Sequence, residues 1–375
     1  MAHDNKNPRT KRYSKIKTAL VNAELFLKKS FYFCVVLINF FCHSRNKKYL
    51  DIGKYKVNDA RFINYLFYSL KENYNFSYDI SLDLLNFIKK IGLINFMKYS
   101  TPNFFIKKNK KIKFLINHQG SLNENQINFN TNYFSKKNIS SNLLYLPYYI
   151  YPRSYNKIYP KIGKLKNNIK TIKILFSGST NFDVYSKFNW FDKDGKKWLN
   201  RIEIINFVKK HFKEKIFILK KFSDLKNFNS EKTPIIFSVN ENLIKKTKTN
   251  LTNFQHYNLI SKSDFFLTVP GGDMPLCHHF IEAIKLKSIP ISQYADLHKP
   301  NLDNDCYLKF SDYDSLEHSI HEALNMDSNL IKIKQDKLEE YYNNKISPEI
   351  FYKNFEARSS NEIIACNDVE SLNWL

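Results

Sequence analysis

The chain has little of what marks a disulfide-stapled, zinc-ribbed or nucleic-acid-reading protein. Its five cysteines, Cys34, Cys42, Cys277, Cys306 and Cys366, lie far apart and form no CxxC pair. An odd, scattered set offers neither a disulfide framework nor a zinc site, and reduced cytosolic thiols are its simplest reading. Arginine is scarce too, at seven of the 59 basic residues. The formal charge of +24 and pI near 9.5 would draw polyanions to the surface. Yet the lysines come with abundant Asn, Ile, Phe and Tyr, the palette of AT-rich codons, and no helix-turn-helix, zinc finger or aromatic RNA-binding signature accompanies them. No nucleic-acid partner is expected. A bilayer-spanning run is also missing: FYFCVVLINFFC, residues 31–42, has twelve residues with Asn39 among them, against about 20 for a spanning helix. His43-Ser44-Arg45 supplies no small-residue cleavage site after it. A buried or interfacial helix fits, and its basic flanks suit peripheral contact with an anionic membrane surface.

What is present is apolar and aromatic. Hydrophobic residues make up 43% of the chain and aromatics 16%, enough for two cores in 375 residues. Four segments are expected: a basic extension at 1–45, a first α/β domain at 46–165, a second at 166–345, and a helix with a polar tail at 346–375. In the first domain, helices are predicted at 60–70 and 81–91, and the strand Lys113-Phe114-Leu115-Ile116 runs into Asn117-His118-Gln119-Gly120. LLYLPYYIYP, residues 143–152, reads as an extended passage. The Lys- and Asn-rich stretch 157–170 reads as an exposed boundary with few apolar side chains to hold it down. The second domain opens with a strand that ends in Ser177-Gly178. Helices at 199–212 and 254–260 and strands at 216–219 and 235–239 follow, then a strand near 307–310 with helices at 314–326, 330–342 and 348–357. Alternating strand and helix of this kind argues parallel sheets with helices on both faces.

The chemistry concentrates in residues 261–296, SKSDFFLTVPGGDMPLCHHFIEAIKLKSIPISQYAD. An apolar β-run through Phe265, Phe266, Leu267 and Val269 reaches Pro270-Gly271-Gly272-Asp273. Phe280, Ile281, Ala283, Ile284 and Leu286 then fall at helical spacing, and Ser288-Ile289-Pro290-Ile291 resumes a strand. Glycines let backbone approach a ligand, and the free amides of a helix's first turn favour an anion such as a diphosphate. Glu282, one turn in, offers an acceptor suited to ribose hydroxyls. His278 and His279 are neighbours on a helix and point about 100° apart, so they are not expected to share a metal. Asp192-Lys193-Asp194 is a DxD by letter in a polar loop, and Lys245, Lys246 and Lys248 form a lysine run that reads as solvated.

The order of these residues resembles the nucleotide-sugar segment of exostosin-like glycosyltransferases. Phe265, Leu267, Pro270, Gly272, Asp273, Pro275, Phe280, Ala283, Ile284, Ile289, Pro290, Ile291 and Asp296 occupy comparable positions, with Glu282 where that family carries an acid. Leu276 and Cys277 replace its small hydroxyl residues, His279 stands at its basic position, and His118 and Gly120 are similar to its His-Asp-x-Gly turn with Gln119 in place of the acid. The resemblance implies two tandem Rossmann-like doubly wound domains (GT-B-like) with an inter-domain cleft. It also implies transfer of a sugar from a nucleotide-diphosphate donor to a glycan or lipid-linked acceptor, inverting and without a bound metal or other cofactor. The donor would be held by Gly271, Gly272, Asp273, His279, Glu282, Ser177 and Gly178, and His118 is the candidate base. Two alternatives stay open: a nucleotide-sugar-binding protein without catalysis, and another transferase or epimerase on the same scaffold. The family's type II anchor also gives residues 31–42 a second reading, beside a cytoplasmic protein touching a membrane.

Overall fold

The structure, a computed structural model, describes residues 49–51, 60–78, 100–102, 111–135, 143–151, 154–187, 190–191, 195–240, 251–272 and 274–366. The apolar segment 31–42, the helix expected at 81–91, Asp192, Asp194, Lys245, Lys246, Lys248 and Asp273 lie outside the described residues. No helix among the described residues is long and apolar enough to cross a membrane.

The chain divides into two compact units. Residues 1–54 and 71–112 form one, in which β1 (Tyr49–Asp51) pairs in parallel with β2 (Asn75–Tyr78) and β2 with β3 (Ser100–Pro102). Residues 55–70 and 113–375 form the other, and it carries two parallel arrays. The first comprises β4 (Lys111–Ile116), β5 (Gln126–Asn130), β6 (Leu144–Leu146) and the late strand β13 (Glu362–Ala365), in the order β4-β5-β13-β6. In the second, β7 (Ile172–Ser179), β8 (Ile216–Ile218), β9 (Ile235–Asn240), β10 (Ser263–Leu267), β11 (Ile289–Ser292) and β12 (Leu308–Lys309) take the order β12-β11-β10-β7-β9-β8. All pairs in it are parallel. The α/β class with Rossmann-like doubly wound parts is therefore as expected.

The central strands read as unbroken apolar runs because both of their faces are covered. Ile174, Leu175 and Phe176 of β7, Phe237 of β9 and Phe265, Phe266 and Leu267 of β10 are fully buried. From β7 the chain crosses to the edge strand β8 and returns to β9 on one side, whereas β10, β11 and β12 build the other, stepping outward. Right-handed crossovers in opposite directions place helices on opposite faces and leave the carboxyl ends of β7 and β10 adjacent, where connections lead away from one another.

Helices of this unit are α1 (Ala60–Leu70), α2 (Ser154–Lys157), α3 (Tyr159–Leu165), α4 (Phe182–Tyr185), α5 (Arg201–His211), α6 (Asn253–Ser261), α7 (His278–Lys285), α8 (Tyr313–Asn325), α9 (Ser328–Tyr341) and α10 (Pro348–Ala357). Reciprocal caps start three of them: Asn200 with Glu203 on α5, Thr252 with Gln255 on α6, and Asp312 with Ser315 on α8. The stretch 157–170 departs from its reading as a loosely held boundary. Pro160 opens α3, and Tyr155, Tyr159 and Ile162 bury one face of the α2–α3 segment at spacings of four and three. Tyrosines can do this because their hydroxyls find partners: Tyr159 and Tyr342 share a hydrogen bond of 2.6 Å. The C-terminal part, expected as a helix and polar tail, is built into the first array. Phe351 of α10 meets Tyr65 of α1 edge-on at 5.5 Å, Tyr65 donates to the Ile346 carbonyl, and β13 fills the slot between β5 and β6.

Candidate functional site

Two turns meet at the adjacent strand ends. β7 finishes in Ser177-Gly178-Ser179, and β10 leads through Thr268, Val269 and Pro270 to Gly271-Gly272. Gly271 is required there: a Cβ on it would fall 2.7 Å from the Met274 carbonyl oxygen and 2.8 Å from that of Leu276, both backbone. Gly178 serves a close approach, since its Cβ would lie 3.0 Å from His279 Cε1. A Cβ on Gly272 would press on Val184 of α4 at 3.3 Å. The first residue of α7 follows Cys277, whose carbonyl takes the Phe280 amide at 3.1 Å and whose thiol takes that of His279, so the helix brings its positive dipole end to this corner.

Arg201, at the start of α5, ties the two turns together. Its Nε and Nη2 donate to the Pro270 carbonyl at 3.0 and 2.7 Å, Nη1 donates to the Ser179 carbonyl at 3.0 Å, and the guanidinium lies 3.8 Å from the Tyr185 ring centre. The side chain is 3% exposed, and among the described residues no carboxylate pairs with it. A buried charge without a counter-ion costs several kcal/mol, so a positive charge kept here calls for an anion. Arg201 goes unread in the sequence, where its signal is an arginine, one of only seven in a lysine-rich chain, set directly after a capping Asn.

Behind the turns runs a polar chain that crosses three elements. Ser177 Oγ and His256 Nδ1 are 2.9 Å apart, and His256 Nε2 lies 3.2 Å from Glu282 Oε2. Glu282 Oε1 accepts from the Tyr257 hydroxyl at 2.8 Å and from the Tyr151 amide at 3.0 Å, and the Tyr257 oxygen in turn accepts from the Ser154 hydroxyl at 2.7 Å. His279 packs into the same cluster, its ring tilted against that of His256 at 5.2 Å. Burial opposes ionisation of Glu282, but the neighbouring His278 and the hydrogen bond from His256 outweigh it and hold the carboxyl well below its usual range. Burial, reinforced by His278, pushes His279 far below the usual imidazole range, so it is neutral near pH 7. The resemblance puts a basic residue at this position, but desolvation keeps His279 uncharged. Cys277, beside Arg201, is a thiol raised by burial rather than a reactive one.

The predicted residues thus fall in two places. Ser177, Gly178, Gly271, Gly272, His279 and Glu282 are brought together at the β7–β10 corner, and Asp273 lies outside the described residues. Glu282 is 1% exposed with both oxygens already bonded, so a ribose would reach it only by displacing one of these partners. His118 sits elsewhere, exposed after β4, its amide donating to Asn128 Oδ1 at 2.9 Å and its ring against Gly120. Among the described residues it bonds to none of the corner's side chains. His256, Tyr151 and Tyr257 went unread because a histidine and tyrosines inside apolar segments look like ordinary core.

No protein-family profile matches the chain, and no curated protein matches it in sequence. Among solved structures, an alpha1,3-fucosyltransferase aligns over 85% of this chain and 93% of its own at 12% identity, with a TM-score of 0.35. OtsA in its apo form aligns over 88% and 77% at 8% identity and a TM-score of 0.36. A UDP-GlcNAc 2-epimerase from Methanocaldococcus jannaschii aligns over 79% and 98% at 12% identity and a TM-score of 0.32. Scores this low decide neither fold nor reaction, and the Rossmann-like reading rests on strand order and register.

Proposed function

We propose that the protein is an exostosin-like glycosyltransferase that moves a sugar from a nucleotide-diphosphate donor to a hydroxyl of a glycan or lipid-linked acceptor. The observation that carries this reading is Arg201, a buried guanidinium at the topological switch point that pairs with no carboxylate among the described residues and holds two glycine-containing turns. Open α/β sheets take ligands in this crevice, and an anion at a helix's first turn gains from both amides and dipole. A donor diphosphate against Gly271 and Gly272, with Ser177 and Gly178 lining the other wall, meets those demands.

As the anomeric bond to the diphosphate breaks, negative charge grows on the departing oxygen. Arg201 and the positive end of the α7 dipole are in place before the reaction, which is what makes such charge stabilisation effective. The acceptor oxygen forms the new bond to the anomeric carbon from the opposite side and gives up its proton to a base, the role assigned to His118. Glu282 fixes the corner by anchoring His256, Tyr257 and the Tyr151 amide. One observation favours a second reading, binding without turnover: among the described residues, exposed His118 bonds to none of the corner's side chains.

Calorimetry against a panel of nucleoside diphosphates and nucleotide sugars, followed by transfer and hydrolysis assays with the bound donor, tests both. Binding with transfer supports the transferase, binding without turnover supports the second reading, and failure to bind any nucleotide diphosphate refutes the two together.

A further inference from the structure

The cluster behind the turns has the composition of a metal centre. His256, His279 and Glu282 each present one ligand atom, and the three atoms lie within 4.8 Å of one another. Two imidazoles and a carboxylate form a donor set that suits zinc and neighbouring first-row divalent ions rather than magnesium or calcium, which favour oxygen. We infer that His256, His279 and Glu282 bind one divalent transition-metal ion of the zinc class.

Three features of the surroundings support this. The first is the set of outer contacts. Ligating histidines commonly have their second ring nitrogen engaged, and ligating carboxylates have their free oxygen held. Ser177 Oγ meets His256 Nδ1 at 2.9 Å and leaves Nε2 for the cluster, while Tyr257 and the Tyr151 amide hold Glu282 Oε1 and leave Oε2. The second is separation: His256 Nε2 and Glu282 Oε2 are 3.2 Å apart, near the spacing of two ligands on one ion whose bonds are each about 2.1 Å. The third is independent of the other two. His279 is 7% exposed, and its Nδ1 is buried without a hydrogen-bond partner. A buried imidazole nitrogen left unbonded carries a desolvation cost that a ligand in this cluster would remove.

Electrostatics set the character of the site. Arg201 and the amino end of α7 bring positive charge nearby, and the single carboxylate offsets half of a divalent charge. The ion therefore keeps a net positive charge and an open coordination position, both of which favour an anionic oxygen as the remaining ligand. This differs from the metal-free clamp that the family resemblance implies. It stands on the cluster alone, whether or not the donor is a nucleotide sugar.

The test uses tag-free full-length protein stripped with a chelator, then titrated by calorimetry with Zn²⁺ and by visible spectroscopy with Co²⁺ as the reporting ion, in the absence of nucleotide. One ion per chain is expected, with Co²⁺ d–d bands of low-symmetry, four- or five-coordinate type. His279→Gln and Glu282→Gln, which preserve volume, should each weaken Zn²⁺ binding at least about 100-fold. Ser177→Ala, which removes only the partner of His256, should weaken it by about 10–100-fold. His318→Gln, on exposed α8, should leave it unchanged. Circular dichroism checks that each variant is folded. Absence of stoichiometric binding to the wild type overturns the inference and leaves a plain hydrogen-bonded network. Binding that survives in a folded His279→Gln, Glu282→Gln double variant overturns it equally. Because no nucleotide is present, neither outcome bears on whether the β7–β10 corner takes a diphosphate.

Discussion

Replacing Arg201 by methionine separates a structural clamp from an anion site. The substitution leaves the Ser179 and Pro270 carbonyls without their donor, at about 1–3 kcal/mol for each unsatisfied group. It also removes stacking on Tyr185, worth about 0.5–2 kcal/mol. Against these losses stands relief from burying an unpaired charge, itself several kcal/mol. The opposing contributions are of one size, so the folding stability of the unliganded variant should change by no more than about 3 kcal/mol. The ligand effect is not balanced in this way. At about 100 times its dissociation constant, a nucleoside diphosphate should stabilise the wild type by about 2.7 kcal/mol, a rise of roughly 3–5 °C in melting temperature for a body of this size. In Arg201→Met that rise should shrink to about 1–2 °C, with affinity down at least about 30-fold, the equivalent of one charge-assisted bond of about 2 kcal/mol. Differential scanning fluorimetry with and without the nucleotide reads both. An undiminished ligand shift in a folded variant would show that Arg201 only staples the turns and that the anion, if any, binds elsewhere.

Other consequences can be checked separately. His118→Ala should lower sugar transfer by about 10²–10⁴-fold and leave nucleotide affinity intact; a variant retaining more than a tenth of wild-type transfer would remove His118 as base. His298 is 1% exposed with both ring nitrogens unpartnered and its ring stacked on Phe280 at 4.0 Å. His298→Phe keeps the stack, removes the orphaned nitrogens and should raise stability to urea by about 1–3 kcal/mol; destabilisation would mean that the ring has a partner worth keeping. Lys285 lies over the rings of Tyr159 and Tyr342 at 3.9 and 4.4 Å, and burial pushes its ammonium down to about 7. The unfolded chain then holds more protons than the folded one above about pH 7, so stability should increase toward about pH 9, by less than the limit of about 1.4 kcal/mol per pH unit. Denaturant titrations of Lys285→Met should show a shallower increase; an identical slope would place its origin in other groups.

The second sheet was legible because its helices and strands carry apolar periods that nothing contradicts. α1 and α10 match their predicted spans, and α5 to α9 and β7 to β11 agree within a few residues. The first array was harder. β5 has the sequence QINFN, and its Asn128 is 1% exposed because it bonds the backbone of His118, a requirement no hydropathy pattern displays. The segment 154–165 looked like a solvated linker because its burial depends on tyrosines that reach partners nearly two hundred residues away. Within the site, glycines and the α7 helix could be read, since turn chemistry is local. Arg201 and His256 could not, because each acts on groups delivered by other strands.

β13 gives the protein a particular order of assembly on the ribosome. Among the described residues β6 pairs only with β13, and β13 pairs with β5, through Glu362, Ile363, Ile364 and Ala365. When residues 144–146 are synthesised, the strand that will hold them is still more than two hundred codons away. The β7–β12 sheet is contiguous in sequence and can close while translation continues. The first array keeps an open slot until residues 362–365 emerge. A nascent chain cut short before residue 362 would display two unsatisfied strand edges, the feature that chaperones and proteases recognise, so the arrival of β13 is what hides this array from them.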